Sequence, residues 1–491
     1  MNEEILKLYP TLLWKNFAGI CSTPHPSKHE GKILEWLKNF AKENKIEYYQ
    51  DKIGNMIFRK PATKGCEKMT PVILQGHMDM VPQADSDKKH DFIKDPIETI
   101  VRKDGWVSAN GTTLGADNGI GGAAALAVLI DPKVKHGPIE VLLTVDEETG
   151  MTGAFNLEPG VLKGKILLNL DSETEGELYV GCAGGLDASM HIPYKMENTP
   201  EDCKGVKIVL SGLKGGHSGM EINMGRANAN KVMVRLVKKL VNDFDFRLES
   251  FNGGNMRNAI PREAAVVGAV PAKKVTSMKN FIKKFTETVK KEFSATEPLL
   301  DIVVKTTTAV PEKVMTVKDA KKVLNVVFAI PNGVMRMSDS MENLVETSNN
   351  LAIVETQKGK VNIYCLMRSS VDSAKEALGE KMTAIAELAG ATIELSGGYP
   401  GWKPNMESPI LKTMQTIYRK KFKKDAVIKA IHAGLECGLF GVSYDWDMIS
   451  FGPTIYGPHS PEERVEIKSV GRFWDFLVET LANIPVCKCK K

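Results

Sequence analysis

The sequence predicts an α/β protein in which a domain with a mostly parallel sheet and helices on both faces is interrupted by an inserted α+β domain. Three observations predict this class. Apolar runs typical of strands alternate with helical stretches in the first part of the chain, a different pattern lies between two glycine-rich segments, and the first pattern returns after the second segment. The sheet domain is therefore expected to consist of two separate pieces of chain.

Short, continuously apolar runs mark the strands of the first domain. They are expected at 71–74, 139–145 and 165–170, with a helix opened by Asn118 between the first two. The run 139–145 has little alternation of polar and apolar residues, which is typical of a strand that is covered on both faces. Strands of this kind, separated by helices, indicate a parallel sheet.

Two glycine-rich segments bound the predicted insertion. They are Gly181-Cys182-Ala183-Gly184-Gly185 and Ser396-Gly397-Gly398-Tyr399-Pro400-Gly401. Between them the sequence predicts strands at 206–211, 351–356 and 361–367 and helices at 226–241 and 278–293. After them it predicts a strand at 447–451 and a last helix at 470–481. We therefore expect one domain from 1–185 and 398–491, and a second domain from 186–397.

Composition and charge exclude several classes of protein. The 491 residues are 43% hydrophobic and 25% charged, as in ordinary globular proteins, so a disordered or fibrous chain is not expected. The net charge of +5 is too small and too dispersed to indicate a nucleic-acid partner. No apolar run approaches the roughly 18 residues of a membrane span, and the eight cysteines form no C-x-x-C pair. A cytoplasmic protein with reduced cysteines and no membrane partner is expected.

Acidic and imidazole side chains follow the predicted strands at their carboxyl ends. These residues are His77, Asp79, Glu147, Glu148, Asp171 and His459. Because the ligand crevice of an open α/β sheet lies at the carboxyl ends of its strands, we expect these side chains to meet there. Clustered carboxylates repel one another unless a cation neutralises them. The sequence therefore predicts a metal site at this edge of the sheet.

Two pairs of residues suggest how the site is organised. His77 and Asp79 lie two residues apart in an extended segment and share a side, so Asp79 is expected to orient the imidazole of a metal-binding His77. Glu147 and Glu148 are adjacent, so their side chains diverge. One carboxylate is then available to metal while the other stays free as a general base. Taken alone, each pair is more simply interpreted as solvated side chains beside a strand.

Three further residues have both a structural and a functional interpretation. Asp117 precedes a helix of small residues, so it is either the N-cap of that helix or a ligand placed between two metals. His217 lies in a glycine-rich loop and is either a turn histidine or a donor to developing negative charge. Arg368 ends a predicted strand and is either solvated or a bidentate clamp for a substrate carboxylate.

Longer motifs surround these residues along the chain. They are Gln75-Gly76-His77-Met78-Asp79, Leu114-Gly115-Ala116-Asp117-Asn118-Gly119, Thr144-Val145-Asp146-Glu147-Glu148-Thr149-Gly150, Gly181-Cys182-Ala183-Gly184-Gly185, Gly216-His217-Ser218-Gly219, Arg257-Asn258-Ala259-Ile260-Pro261-Arg262, Ala433-Gly434-Leu435-Glu436-Cys437-Gly438 and Gly457-Pro458-His459-Ser460-Pro461. The set resembles the aminoacyl-histidine dipeptidases, which are cytosolic, carnosine-cleaving members of the two-zinc dipeptidase and deacylase superfamily. The resemblance extends over the whole chain and is weakest at 298–350.

The resemblance implies two zinc ions in each chain. One would be held by His77 and Asp171, the other by Glu148 and His459. Asp117 would bridge both ions. Because mixed carboxylate and imidazole ligands accept several divalent ions, Mn²⁺ and Co²⁺ are the alternatives to Zn²⁺.

The resemblance also implies a reaction, the hydrolysis of dipeptides with a free C-terminal carboxylate, of the Xaa-His type. Asp79 would orient His77, and Glu147 would be the general base. The inserted domain would act as a lid that contributes His217, Asn258 and Arg368 to the substrate, and it would join two copies of the chain in a homodimer.

Two other functions remain open at this point. A deacylase that cleaves N-acyl amino acids with the same metals would differ only where the substrate amine is recognised. Glu436 is the residue of interest there, because a carboxylate facing an amine would favour dipeptides, whereas its other interpretation is a structural acid in a loop. The second alternative is a zinc-dependent peptide-binding protein without turnover, and the retention of Glu147 argues against it.

Overall fold

The computed structural model describes residues 3–486, which fall into two compact units. The first unit lies within Met1–Gly181, Pro404–Ala430 and Leu435–Lys491, and the second within Cys182–Lys403 and Ile431–Gly434. The chain therefore passes between the units beside both glycine-rich segments. It also returns to the second unit at Ile431–Gly434, which the sequence did not reveal.

Helices and strands alternate along most of the chain. In chain order the α-helices are α1 Thr11–Cys21, α2 Gly31–Glu43, α3 Ala116–Ile130, α4 Glu147–Gly150, α5 Thr152–Phe155, α6 Ala229–Asp243, α7 Val275–Glu292, α8 Val317–Ala329, α9 Asp372–Leu388, α10 Pro409–Phe422, α11 Glu436–Ser443 and α12 Ile467–Ala482. The strands are β1 Glu47–Gln50, β2 Met56–Lys60, β3 Val72–His77, β4 Thr99–Val101, β5 Trp106–Ala109, β6 Ile139–Thr144, β7 Ile166–Asn169, β8 Glu177–Cys182, β9 Gly184–Pro193, β10 Met196–Asn198, β11 Cys203–Ser211, β12 Gly216–His217, β13 Arg247–Gly253, β14 Ala259–Ile260, β15 Ala264–Pro271, β16 Asp301–Thr306, β17 Lys313–Met315, β18 Gly333–Met337, β19 Val345–Gln357, β20 Lys360–Ser369, β21 Thr392–Tyr399, β22 Val427–Ile431, β23 Asp447–Ser450, β24 Ile455–Tyr456 and β25 Arg464–Glu466. Within residues 3–486, none of the helices is both long and apolar enough to cross a bilayer.

The large sheet of the first unit is parallel at its centre. Its strand order is β1-β2-β6-β3-β7-β23-β8-β22. Strand β3 pairs in parallel with β6 and β7, and β7 pairs in parallel with β23, whereas β2 and β8 pair antiparallel with β6 and β23. Every residue of β3, β6 and β7 is buried, as expected for strands covered on both faces. Helix α3 packs on β3 and α10 on β23, so the predicted α/β class is confirmed.

Small residues bring helix α3 close to this sheet. Asp117 and Asn118 have non-helical backbone angles, so the regular part of the helix begins at Gly119, one residue after the predicted start. A Cβ atom on Gly121 would lie 2.4 Å from the carbonyl oxygen of Leu170, closer than any side chain tolerates. The small residues of α3 therefore permit a close approach of the helix to the segment that follows β7.

The second unit contains an antiparallel sheet with helices packed on it, as predicted for the α+β insertion. The strand order is β16-β11-β15-β13-β19-β20-β9-β21, and β18 pairs with β19. Residues of helices α6, α7, α8 and α9 join the strands in one hydrophobic core. The stretch 298–350, where the resemblance was weakest, supplies β16, β17, α8, β18 and the start of β19.

Helix boundaries in this unit differ from the prediction by one to three residues, since α7 begins at Val275 and not at 278, and α6 begins at Ala229 and not at 226. The helix expected from 226 begins at Ala229, because Asn228 is its N-cap. The side-chain oxygen of Asn228 accepts the backbone N–H of Lys231 at 3.2 Å. Such a cap satisfies a donor that the first turn leaves free, and it fixes where the helix starts.

Candidate metal centre

Neighbouring strands of the first unit bring the predicted metal ligands together. The elements that carry them are β3 for His77, the start of α3 for Asp117, the start of α4 for Glu147 and Glu148, the end of β7 for Asp171, and the loop between β24 and β25 for His459. Because β6, β3 and β7 are parallel neighbours, their carboxyl ends lie at one edge of the sheet. The ligands meet at that edge.

The ligands form two groups that share Asp117. In the first group, Nε2 of His77 lies 3.2 Å from Oδ1 of Asp117 and 3.4 Å from Oδ1 of Asp171. In the second, Nε2 of His459 lies 3.0 Å from Oδ2 of Asp117 and 3.0 Å from Oε2 of Glu148. The ligand atoms of each group lie within 4.8 Å of one another. Asp117 makes no N-cap hydrogen bond, and its two oxygens face different histidines, as a bridging ligand requires.

The chemistry of these groups fits two divalent cations. Oε1 of Glu148 and Oδ1 of Asp171 are buried and have no hydrogen-bond partner within the described residues. Buried carboxylate oxygens are normally satisfied, so these two need a ligand. Imidazole nitrogens and carboxylate oxygens are ligands that Zn²⁺ and other first-row divalent ions accept.

The pKa values at this edge report an excess of buried negative charge. Burial raises the pKa of Asp171 to about 7, with Asp117 and Glu148 adding to the shift. Burial also raises the pKa of Glu147 well above its ordinary value. Hydrogen bonds to Asp117 and Glu148 raise the pKa of His459 to about 11. A bound cation would lower the pKa values of these carboxyl groups, because it stabilises every ionised carboxylate near it.

Asp79 supports two parts of the site. The Nδ1 atom of His77 lies 3.0 Å from the backbone carbonyl of Asp79 and 3.4 Å from its carboxylate, so the ring is held mainly by the main chain. The carboxylate accepts the backbone N–H groups of Glu147 at 3.0 Å and Glu148 at 3.3 Å, and the hydroxyl of Ser27 at 2.8 Å. Asp79 therefore orients the turn that presents both glutamates as well as the histidine.

The two adjacent glutamates have different surroundings. Glu148 faces His459 and belongs to the second metal group. The Glu147 carboxylate is near His77, yet it accepts no hydrogen bond from any residue of the described chain. An oxygen of Glu147 also lies within 4.8 Å of ligand atoms of His77 and Glu148, so these three form a further candidate metal group, and the free base predicted at Glu147 stays a prediction.

Glu463 is a residue at this site that the sequence reasoning missed. Its side chain is 2% exposed, and its two oxygens accept four successive backbone N–H groups. They come from Leu114 at 2.7 Å, Gly115 at 3.0 Å, Ala116 at 2.8 Å and Asp117 at 3.2 Å. These bonds fix the loop that presents the shared carboxylate. The available signal was its position two residues after the motif that contains His459.

Glu436 lies beneath the sheet edge, where it is 1% exposed. Its Oε2 accepts hydrogen bonds from Gln75 Nε2 at 2.5 Å and Thr144 Oγ1 at 2.9 Å, while Oε1 is buried without a partner. Burial raises its pKa to about 8. This burial favours the structural interpretation of Glu436 over direct recognition of a substrate amine.

The second unit contains a separate cluster of polar residues around Arg368. This side chain is 5% exposed, and it pairs with no carboxylate among the described residues. Its Nη1 donates to the hydroxyl of Tyr399 at 3.0 Å, and its Nε lies 3.5 Å from Oγ of Ser218. A buried cation without a counter-charge is costly, so this cluster is suited to an anionic group.

The hydrogen bonds of His217 define which of its nitrogens carries the proton. Nδ1 accepts the backbone N–H groups of Gly219 at 3.2 Å and Met220 at 3.0 Å. Burial and the charge of Arg368 lower the pKa of His217, so the ring is neutral near pH 7. A neutral ring with an accepting Nδ1 carries its proton on Nε2, which leaves Nε2 as a donor.

Two further residues complete the description of this cluster. Asn258 joins the His217 loop through its carbonyl, which accepts the N–H of Ser218 at 2.8 Å. His432, from the returning segment, is buried and lies 2.7 Å from Oγ of Ser348 through Nε2. The sequence reasoning missed His432, although it directly precedes the motif that begins at Ala433.

Comparisons with known proteins agree with this chemistry. Peptidase family M20/M25/M40 matches residues 73–483 of the chain. The cytosol non-specific dipeptidase of Escherichia coli (strain K12) is 47% identical over 484 residues, which cover 98% of this chain and 99% of that protein. The crystal structure of aminoacylhistidine dipeptidase from Vibrio alginolyticus is also 47% identical, with a TM-score of 0.93 and 98% of each chain covered. A tripeptidase structure from Staphylococcus aureus, 16% identical with a TM-score of 0.57 over 97% of this chain and 99% of that one, shares the fold.

Proposed function

The chain belongs to peptidase family M20/M25/M40, and from that premise we propose that it is a dinuclear metallo-dipeptidase that cleaves dipeptides with a free C-terminal carboxylate, including those that end in histidine. The observation that carries this proposal is the pair of ligand groups that share Asp117, with the carboxylate of Glu147 close to both His77 and Glu148. The names of the Escherichia coli and Vibrio alginolyticus relatives support the dipeptide substrate, and the former also supports a cytosolic location.

The residues that would hold the two cations are those of the two groups. His77 and Asp171 would hold one ion, Glu148 and His459 would hold the other, and Asp117 would belong to both sites. We propose Zn²⁺ as the metal, with Mn²⁺ or Co²⁺ as substitutes. Once bound, the ions supply Lewis acidity, which polarises the scissile carbonyl and lowers the pKa of the attacking water.

Glu147 then moves the proton of the reaction. Among the described residues no group donates a hydrogen bond to its carboxylate, so both oxygens are free to accept a proton from water. It removes a proton from the attacking water and later gives that proton to the nitrogen of the leaving amino acid. Asp79 assists by holding the backbone N–H of Glu147, which keeps the carboxylate in one place.

The second unit supplies the groups that recognise the substrate. The Nε2–H of His217 donates to the oxygen that becomes negative when the carbonyl is attacked, a contact that strengthens as charge develops. Arg368 pairs with the terminal carboxylate, which gives this buried cation its counter-charge. Asn258 positions the loop that carries His217, because its backbone carbonyl accepts the N–H of Ser218. We propose that its side-chain amide contacts the substrate backbone.

We also propose a homodimer formed through the second unit. Three large apolar side chains of that unit, Leu299, Phe328 and Leu388, are exposed. Their burial against a second copy of the chain would remove apolar area from water, which favours association. Sedimentation equilibrium of the purified protein tests the assembly directly, and a monomer at micromolar concentration contradicts it.

A panel of substrates tests the proposed reaction. The protein is reconstituted with Zn²⁺ and offered β-alanyl-histidine, glycyl-histidine, dialanine and an N-acetyl amino acid. We expect hydrolysis of the dipeptides and little of the acyl compound. Preference for the N-acetyl amino acid would instead identify a deacylase, and binding of dipeptides without turnover would identify a peptide-binding protein.

A further inference from the structure

The cluster around Arg368 contains a hydrogen-bond donor that the proposed reaction has not used. The hydroxyl oxygen of Tyr399 accepts the hydrogen bond from Nη1 of Arg368 at 3.0 Å. A phenol has one hydrogen of its own to donate, and the described residues offer no acceptor for it. The O–H of Tyr399 and the guanidinium of Arg368 are therefore two adjacent donors without an anion.

Among the described residues, no carboxylate forms an ion pair with Arg368 or accepts a hydrogen bond from Tyr399. Asp187 is the acid whose charge interacts with Arg368, and it forms an ion pair with Arg257 at 3.2 Å. The imidazoles of His217 and His432 have lowered pKa values, because burial and the charge of Arg368 both disfavour their protonated forms. Burial raises the pKa of Tyr399, so its phenol stays protonated. The cluster thus consists of one cation, neutral imidazoles and a phenol donor.

The ring of Tyr399 packs against two glycines. Gly185 belongs to the first glycine-rich segment, and Gly434 belongs to the motif that follows His432. A Cβ atom on Gly185 would lie 2.4 Å from Cε1 of the ring, and one on Gly434 would lie 3.0 Å from Cε2. A side chain at Gly185 would displace the ring, and one at Gly434 would press against it. The backbone carbonyl of Tyr399 also accepts a hydrogen bond from the ammonium group of Lys375. These contacts place the hydroxyl accurately and leave the ring little freedom.

We propose that Tyr399 is a specificity-determining residue that donates its hydroxyl hydrogen to the terminal carboxylate of the dipeptide, beside Arg368. This inference rests on the proposed dipeptidase function. A carboxylate has two oxygens, and adjacent donors from a guanidinium and a phenol satisfy both in a way that a neutral amide end does not. Tyr399 therefore acts on substrate binding and on the choice between free and blocked C-termini.

Removal of one oxygen atom tests the inference. Tyr399→Phe is compared with the wild type on a dipeptide and on the same dipeptide with an amidated C-terminus. We expect kcat/KM for the free acid to fall about tenfold, mainly through a higher KM, as for the loss of one hydrogen bond to a charged group. The amide should be cleaved as by the wild type, so the preference for the acid falls about tenfold.

A matched variant and an inhibition measurement separate this role from a structural one. Tyr364→Phe removes a hydroxyl from strand β20, where the ring lies under Arg257, and should leave the acid-to-amide ratio unchanged. The inhibition constant of a free amino acid should rise about tenfold in Tyr399→Phe, while that of its amide should not. If Tyr399→Phe folds normally and keeps the wild-type ratio of kcat/KM for the acid and the amide, the inference is wrong and the proposed function remains intact. A wild type that cleaves no dipeptide, or cleaves acid and amide equally, overturns both.

Discussion

The cluster at the sheet edge of the first unit and the cluster around Arg368 in the second unit bury charge of opposite sign. At the sheet edge of the first unit, burial and neighbouring carboxylates raise the pKa values of Glu147 and Asp171. In the second unit, burial and the cation of Arg368 lower the pKa values of His217 and His432. Because an uncompensated buried charge is unfavourable, the sign of each excess indicates its ligand: cations for the first unit and an anionic group for the second.

The largest expected effect separates the base from the metal ligands in the acidic cluster. Glu147→Gln should retain two metal ions per chain and lower kcat by about 10³- to 10⁴-fold, because the amide cannot accept the proton. Glu148→Gln is the matched variant and should lose metal from one site. Metal analysis and kinetics on the same preparation decide this. Loss of metal from Glu147→Gln would show that the roles of the two glutamates are reversed.

The second effect concerns the neutral imidazole of the other cluster. His217→Ala should lower kcat by about 10²- to 10³-fold, as the removal of one oxyanion donor does. The melting temperature should change little, since within residues 3–486 the ring forms hydrogen bonds to backbone N–H groups of its own loop and to no other element. His191→Ala, on strand β9 of the same unit, serves as the control. A wild-type kcat for His217→Ala would show that His217 has only a structural role in its glycine-rich loop.

The third effect tests whether the buried cation is the partner of an anion. Arg368→Ala should lower the preference for a free over an amidated C-terminus by about a hundredfold, because the variant has no charge to pair. Arg235→Ala, whose guanidinium pairs with Glu292 on the surface of the second unit, should keep the wild-type ratio. If the wild type cleaves the free acid and the amide equally well, Arg368 does not select substrates by their terminal carboxylate.

A smaller effect is expected at the support of the acidic cluster. Glu463→Gln replaces one accepting oxygen by an NH₂ group that faces backbone N–H donors, so the loop around Asp117 must shift. Outer residues of this kind change metal affinity by about 10- to 100-fold. Titration with Zn²⁺ against a competing chelator measures the change. Exposed Glu462→Gln is the control and should bind as the wild type does.

The smallest effect is a pH dependence in the cationic cluster. Burial, Arg368 and His217 lower the pKa of His432 to about 3, so the unfolded chain takes up a proton first as the pH falls below the ordinary value of 6.5. Stability contributed by neutral His432 is therefore present above pH 6.5 and lost below it, by about 1.4 kcal/mol between pH 7.5 and 5.5. Chemical denaturation of the wild type and His432→Gln should show this difference in slope, and parallel curves would contradict it.

The acidic cluster was more accessible to sequence reasoning than the cationic one. The carboxyl ends of parallel strands lie at one edge of the sheet. Polar residues that follow the buried strands, such as His77 and Asp171, therefore come together at that edge whatever the path of the connecting loops. This rule needs only the order of strands along the chain. The mostly parallel sheet could be predicted for a different reason. Its central strands are buried on both faces, so they appear in the sequence as continuous apolar runs.

Residues that act through loop backbone were beyond this reasoning. Glu463 matters because four N–H groups of a distant loop converge on it, and the sequence contains no periodicity that reports such convergence. His432 enters its cluster through a four-residue return to the second unit. Tyr399 was visible only as part of a glycine-rich break, because its packing on Gly185 depends on tertiary contacts.

That return of Ile431–Gly434 limits how the protein can be dissected. The second unit is not a contiguous stretch of chain, so a fragment with residues 182–403 alone would keep Arg368 and Tyr399 but lack His432 and Gly434. Such a fragment would lose a glycine that packs against the Tyr399 ring, together with the hydrogen bond between His432 and Ser348. Exchange of this unit between related proteins would therefore have to transplant two pieces of sequence, because a graft of the longer piece alone would leave the cluster around Arg368 without His432 and Gly434.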